Sequence, residues 1–335
     1  MSRKFIILLI ASVLLLNNTN AQNTSGYSVV KTFHIESGGG WDYIAVNDSK
    51  IYASHGTQVN VLDEDTGDSI GVIPGTTGVH GIAFDNELGR GYTSNGRLNN
   101  VTVFDLKTNA IITQIPAGTN PDAIMYEPFT KKIITNNGRS HNLSIIDPEK
   151  NMLVDSVELG GKPEEAVSNG KGILFVNLED KSEIAVVNLK TYKVITRWPL
   201  APGEGPSGLA IDNATHRLFS ACSDSKLLVV MDATSGKIID KLPIGQGCDG
   251  AAFDEEKKLI FAPNGRDGTI SVYKEESADK YTSMGTITTK MGARTITIDN
   301  KTGALFLPTA EFEVATSANE RPRMRPGTFQ VFEVK

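Results

Sequence analysis

Residues 120–161 read NPDAIMYEPFTKKIITNNGRSHNLSIIDPEKNMLVDSVELGG and hold four short β-type runs, DAIMY, KIITN, NLSIID and LVDSVEL. Turn chemistry separates them: Glu127-Pro128, Asn137-Gly138, Asp147-Pro148 and, at the end, Gly160-Gly161. Strong β formers bounded by Pro, Gly and Asn signal strands joined by hairpins. One such four-stranded unit cannot bury both of its faces, so it predicts neighbours of its own kind.

The chain supplies them. The position of Asp122, at the start of the unit's first strand, recurs at Asp42, His80, Glu164, Ser207, Asp249 and Arg294, in steps of 38, 42, 42, 43, 42 and 45 residues. The end of the second run recurs in IYASH, GYTSN, IITNN, LFVNL, LFSAC, IFAPN and LFLPT. The turn closing the third run recurs from Asp63 to Gly67, Asp105 to Asn109, Asp147 to Asn151, Asn188 to Tyr192 and Asp232 to Gly236. Three landmarks sharing a period of roughly 42 residues predict an all-β, seven-bladed β-propeller. The seventh unit stops after FQVFEVK with three strands, while YSVVKTFHI, residues 27–35, is a strand without a unit. The last blade is therefore expected to be closed by the N-terminal strand, which pairs edges otherwise left bare.

The run KKIITNNGRSHNLSIIDPEKNMLVDSVELGGKP resembles the YVTN-repeat β-propellers, and among them the exported YncE-like proteins. The resemblance covers residues 27–335, is specific for fold and weak for activity. It implies a periplasmic or secreted propeller. Some members of the family bind DNA, and related seven-bladed propellers include lactonases and lyases.

The first 21 residues read as a secretory signal: Arg3 and Lys4, an apolar stretch from Phe5 to Leu16, then the small-residue site Thr19-Asn20-Ala21. The apolar stretch is too short to span a bilayer comfortably. Residues 22–26 form a polar lead and residues 27–335 a single propeller domain, with no transmembrane segment expected in the mature protein. Formal charge is −6, and loss of Arg3 and Lys4 makes it more negative. An acidic total argues against nonspecific polyanion binding, which rests on phosphate neutralisation, though a local basic patch stays open. Cys222 and Cys248 are the only cysteines. They fall on one face in adjacent blades, where a disulfide and two buried thiols both fit.

In a propeller the innermost strand starts, and the second strand ends, at the same mouth of the central channel. That placement gathers Asp42, His80, Asp122, Glu164, Ser207, Asp249 and Arg294 with His55, Asn95, Asn137, Leu178, Cys222, Asn264 and Thr309. Asn-Gly-Arg occurs three times, ending at Arg97, Arg139 and Arg266. Its Gly is expected to supply a positive-φ turn and its Arg to point over the mouth. Carboxylates and arginines around one funnel suit a polar ligand, anionic or zwitterionic. A structural role competes with this: the acids can bond backbone N–H groups at strand starts and pair with the neighbouring Arg. His80, Ser207 and Arg294 break the acidic pattern and are the best functional candidates. His80 with Glu164 or Asp122, and Arg294 as cationic partner, would serve acid–base chemistry. His55, His80, Asp42 and Asp122 offer nitrogen and oxygen donors for Zn²⁺, but no H-E-x-x-H or His cluster supports it, and no metal or cofactor is assigned.

Between Thr309 and Thr328 blade seven carries AEFEVATSANERPRMRPG. Arg321, Arg323 and Arg325 alternate there with Pro322, Met324 and Pro326, a basic strip for a lid or an anionic partner such as a nucleic-acid strand. Asp63 to Asp68 reads as a hairpin turn, because the Glu of a calcium loop is replaced by Pro74. No phosphate-binding loop or nucleophile elbow is present. Three functions remain: a binding protein that presents an Asp/His/Arg funnel to a polar or anionic small molecule or polymer, a hydrolase or lyase acting on a sugar acid, lactone or polyuronide, and a structural or adhesion protein that works through its flat rim. Composition leaves the oligomeric state open.

Overall fold

The turn after each third strand shows how the repeats fold. Asp63 accepts the backbone N–H groups of Asp65 and Thr66. Asp105, Asp147, Asn188 and Asp232 do the same two and three residues on. Gly67, Asn109, Asn151, Tyr192 and Gly236 then turn the chain with φ between 52° and 74°. An Asx turn followed by a left-handed residue redirects the chain into the next strand. The acids of Asp63 to Asp68 are part of this hairpin.

The computed structural model describes residues 23–313 and 323–335. The segment read as an export signal lies outside them, as do Gln22 and Arg321. The described residues form strands β1 to β28 in seven antiparallel sheets of four, with a single 3₁₀ turn at Glu179–Lys181. Six sheets use consecutive strands. The seventh runs β1 (Val29–His34), β28 (Gln330–Val334), β27 (Ala304–Thr309), β26 (Thr297–Asp299). The N-terminal strand closes the ring, as the count of strands implied, with Phe33 opposite Val331 and Lys31 opposite Glu333. Lys31 Nζ lies 3.1 Å from the buried Glu333 carboxylate. The lead before it is held too: Thr24 N–H donates to Met284 C=O at 2.8 Å.

Each junction between blades has its own apolar cluster. Phe219, Leu228 and Val230 of blade five meet Ile260, Ala262 and Tyr273 of blade six. Leu143 and Ile145 of blade three meet Val176 and Ala185 of blade four. Trp198 stacks on Phe175 with ring centroids 5.9 Å apart and covers Gly236 of the next blade, where a Cβ would fall 2.4 Å from the indole. Burial of each large side chain contributes about 1.5–3 kcal/mol, so packing between blades holds the ring together. No helix among the described residues is long and apolar enough to cross a membrane.

Candidate functional site

The innermost strands of blades one to five are β2 (Trp41–Asn47), β6 (Val79–Asp85), β10 (Pro121–Glu127), β14 (Pro163–Ser168) and β18 (Pro206–Asp212). All five lose register just after their first residue, between Trp41 and Ile44, Val79 and Ile82, Pro121 and Ile124, Pro163 and Ala166, and Pro206 and Leu209. Such an irregularity leaves two successive residues out of the ladder and re-aims their side chains. In blades six and seven the inner strands, β22 (Ala252–Asp254) and β26, start later, so Asp249 and Arg294 sit ahead of them.

Neighbouring blades satisfy many of the backbone groups freed in this way. Ser94 donates to the Asp122 carbonyl and the Asn136 amide to the Glu164 carbonyl. Asn177 donates to Ser207 C=O at 3.2 Å, Ser207 Oγ to Cys248 C=O at 3.0 Å and Thr295 Oγ1 to Asp42 C=O at 2.6 Å. The freed N–H groups of Asp42 and Gly81 donate to the hydroxyls of Ser54 and Ser94 rather than to the mouth carboxylates. None of Asp42, Asp122, Glu164 and Asp249 accepts a backbone N–H among the described residues. Of the structural role, the capping of strand starts is not what the fold shows, whereas the pairing with a neighbouring Arg is, since Asp42 and Asp249 both meet Arg294.

Their side chains instead meet one another. His80 Nδ1 lies 2.6 Å from Asp42 Oδ2 and 3.7 Å from Asp122 Oδ1. The Arg294 guanidinium bonds Asp249 through Nε at 3.0 Å and reaches Asp42 Oδ1 through its other nitrogen at 3.3 Å, stacked 5.8 Å over the Trp41 ring. Lys162 Nζ lies 2.7 Å from Glu164 Oε1 and also pairs with Glu179. Asp122 has no hydrogen bond to its carboxylate among the described residues. Burial raises the carboxyl pKa of Asp122 and of Glu164, and their mutual repulsion adds to the rise for Glu164. Burial pulls the His80 imidazole down, but the bond to Asp42 and the surrounding negative charge outweigh it and raise its pKa.

The three Asn-Gly-Arg glycines do not have positive φ, contrary to expectation. Two are glycines for reasons of space. A Cβ on Gly96 would fall 2.6 Å from His80 Nε2, and one on Gly265 2.5 Å from the Arg294 Cβ. The following arginines, Arg97, Arg139 and Arg266, are exposed at the rim, their side chains without a hydrogen bond or ion pair among the described residues. The stems of Arg97 and Arg266 lie against Gly78 and Gly247.

His55 and Ser207 do not reach the mouth. His55 is fully buried, bonded to Gly39 C=O at 2.8 Å and to Ser37, and stacked on Phe329 at 3.9 Å. The second strand lies behind the innermost one, so its last side chain points into the blade. Asn95, Asn137 and Asn264 do likewise, each tying the next strand through Thr102, Ser144 and Ser271. Ser207 spends its hydroxyl on the neighbouring blade. Cys222 and Cys248 are buried free thiols, and burial pushes both up to about 12. Arg323 and Arg325 are exposed on a ribbon in which Arg325 N–H donates to Glu311 C=O at 2.8 Å, and its Phe312 packs edge-on against Trp41.

Sequence reasoning missed Tyr43, Lys162 and Glu165. Strict alternation assigns one channel-facing residue per strand start, whereas the lost register presents two. Tyr43 and Glu165 line a channel cavity of about 230 Å³ below the mouth, with Ile82, Ile124 and Met125. Burial pushes the Glu165 carboxyl up to about 8 even though it accepts the Leu209 N–H at 2.8 Å. A larger cavity of about 610 Å³ opens at the far ends of the inner strands, between Lys50, Asn86, Asp299 and Lys301.

No protein-family profile matches the sequence, and no curated protein matches it either. Solved structures do. The chain is similar to Kuenenia stuttgartiensis hydrazine synthase, with 13% identity and a TM-score of 0.72 over 82% of this chain and 94% of that one. It is also similar to the WD40 β-propeller domain of Doa1, with 14% identity and a TM-score of 0.73 over 93% of this chain and 97% of that one. At these identities the likeness is one of fold: the chain is a seven-bladed β-propeller.

Proposed function

We propose that the chain is an exported binding propeller, of the YVTN-repeat, YncE-like kind, that takes a polar ligand at the channel mouth. The observation that carries this reading is the unbroken chain Asp122–His80–Asp42–Arg294–Asp249, which joins blades three, two, one, seven and six around one opening. A binding scaffold is in keeping with the fold, which hosts many functions through the site it presents.

The charges at the mouth support a narrower ligand chemistry. Arg294 is occupied by two carboxylates, so it is not available to grip an anion alone. The throat holds Asp42, Asp122, Glu164, Glu165 and Asp249 against Arg294, Lys162 and His80; burial raises the carboxyls of Asp122, Glu164 and Glu165, so the throat suits a hydrogen-donating group and, as these carboxyls ionise, a cationic one. The unpaired Arg97, Arg139 and Arg266 at the rim suit an anionic group. A zwitterionic ligand meets both, and a long polyanion such as nucleic acid would meet the rim alone. The experiment is a thermal-shift panel of amino acids, dipeptides, sugar acids and oligonucleotides. Stabilisation by zwitterionic members, lost in Asp249→Asn and weakened in an Arg97→Ala/Arg139→Ala/Arg266→Ala variant, is expected. Stabilisation by oligonucleotides only, or hits insensitive to these changes, would overturn it.

One observation favours hydrolase or lyase chemistry as a second reading. The 2.6 Å bond from His80 to Asp42 holds an imidazole by a carboxylate in the manner of a general base. Turnover of a lactone or polyuronide, abolished by His80→Ala, would distinguish this reading from binding alone.

A further inference from the structure

We propose that Asp42, His80 and Asp122 form a binding site for a divalent transition-metal ion of the Zn²⁺ type. The ligand atoms of the three side chains all lie within 4.8 Å of one another. Bonds of 2.0–2.2 Å to nitrogen and oxygen put tetrahedral donors about 3.4 Å apart. The observed 2.6 and 3.7 Å from His80 Nδ1 bracket that value, so side-chain shifts on the order of 1 Å complete the triangle.

Several features of the fold favour an ion over a mere cluster of acids. The three residues occupy the same place in three consecutive blades, so the ring itself fixes their spacing. The imidazole is oriented: its Nε2 edge lies against Gly96, where no side chain fits, and Nδ1 faces both carboxylates. Asp122 has no hydrogen bond to lose on ligating a metal. Asp42 would keep its second oxygen on Arg294, which lies 3.3 Å away and would serve as an outer partner that orients the ligand. One nitrogen and two carboxylate oxygens suit Zn²⁺ or a similar ion better than Ca²⁺ or Mg²⁺, which prefer oxygen alone. Three protein ligands leave a position open toward the mouth.

The proposal goes beyond the polar-ligand reading, and its test uses the metal alone. Metal-stripped protein is titrated calorimetrically with ZnCl₂, with CaCl₂ as comparison. One saturable Zn²⁺ per chain is expected, weakened at least about tenfold in Asp122→Asn and in His80→Ala, and unchanged in Lys301→Ala at the far opening. Circular dichroism checks that each variant is folded. If one is not, the wild-type protein decides: Zn²⁺ must raise its melting temperature with concentration, and Co²⁺ in its place must give visible bands of a low-symmetry nitrogen–oxygen site. Absence of saturable Zn²⁺ binding, or binding unaffected by both variants, overturns the site. Loss of zwitterion binding with Zn²⁺ binding intact would instead count against the polar-ligand reading alone.

Discussion

His80 Nδ1 and Asp42 Oδ2 are 2.6 Å apart, and this contact links the inner strand of blade two to that of blade one. Asp42 carries a second burden, because its other oxygen faces Arg294 of blade seven across the ring closure. One side chain thus ties three blades at the mouth. Asp42→Ala is expected to cost about 2–4 kcal/mol, as hydrogen bonds between charged groups contribute about 1.5–3 kcal/mol each and their partners are left stranded. Chemical denaturation of the two proteins measures it. A loss under about 0.5 kcal/mol, ordinary for an exposed surface change, would show that the contact is not structural.

Gly96 separates site from scaffold. Gly96→Ala places a Cβ 2.6 Å from His80 Nε2 and 2.8 Å from Asn120 Oδ1, displacing the imidazole at a backbone position without positive φ. Gly89→Ala meets nothing within 4 Å but has φ +64°. The first change should weaken binding at the mouth and cost less stability than Asp42→Ala, since it disturbs only one of the two contacts of Asp42. The second should cost about 1 kcal/mol in stability and leave binding alone. The reverse pattern would mean that His80 is not part of the site.

Most of the fold was legible because it is periodic. The Asp63-to-Gly67 type of turn uses one Asp or Asn and one left-handed residue, and both are visible as letters at fixed spacing. The orphan strand at residues 27–35 was equally visible, since three strands at one end need a fourth from the other. The site was half legible. Asp42, His80, Asp122, Asp249 and Arg294 follow from the repeat, but Glu165 and Tyr43 do not. Register loss at a strand start depends on how backbone packs against the adjacent blade, and no single residue type announces it. His55 was misplaced because the end of the second strand lies one strand behind the channel. The Asn-Gly-Arg glycines were read through φ, whereas Gly96 answers to His80, 16 residues before it, and Gly265 to Arg294, 29 residues after it.

Closure of the ring should be felt through Phe33. This side chain of β1 is buried, and it fills the space over Gly67, where a Cβ would fall 2.0 Å from the ring. Phe33→Ala should cost about 3–5 kcal/mol. The freed edge of β28 should then promote association, read by light scattering. An unchanged melting curve would argue that β1 docks without holding the blade.

A carboxyl pair away from the mouth sets a pH dependence. Burial, then a hydrogen bond shared with Asp212, pushes Glu275 up to about 7, while Asp212 is held below its usual value by its bonds to Glu275 and Lys258. Thr215 donates to Glu275 at 2.9 Å, Tyr281 faces it at 3.3 Å, and Lys258 lies 3.0 Å from Asp212. A raised carboxyl pKa in the folded state stabilises the protein fully below the unfolded value near 4.5, and the gain disappears as pH rises through about 7. Melting temperature should therefore fall between pH 5 and 8 by more in the natural protein than in Glu275→Gln, with each pKa unit worth about 1.4 kcal/mol. Parallel pH profiles would refute the shared proton.

The most direct test of the mouth as the working site is a crystal structure of the protein soaked with the strongest zwitterionic hit of the thermal-shift panel. Density is expected between Asp122 and Arg294, with the acidic end of the ligand toward Arg97, Arg139 or Arg266. Density confined to the opening at Lys50 and Lys301, with the mouth unchanged, would contradict it.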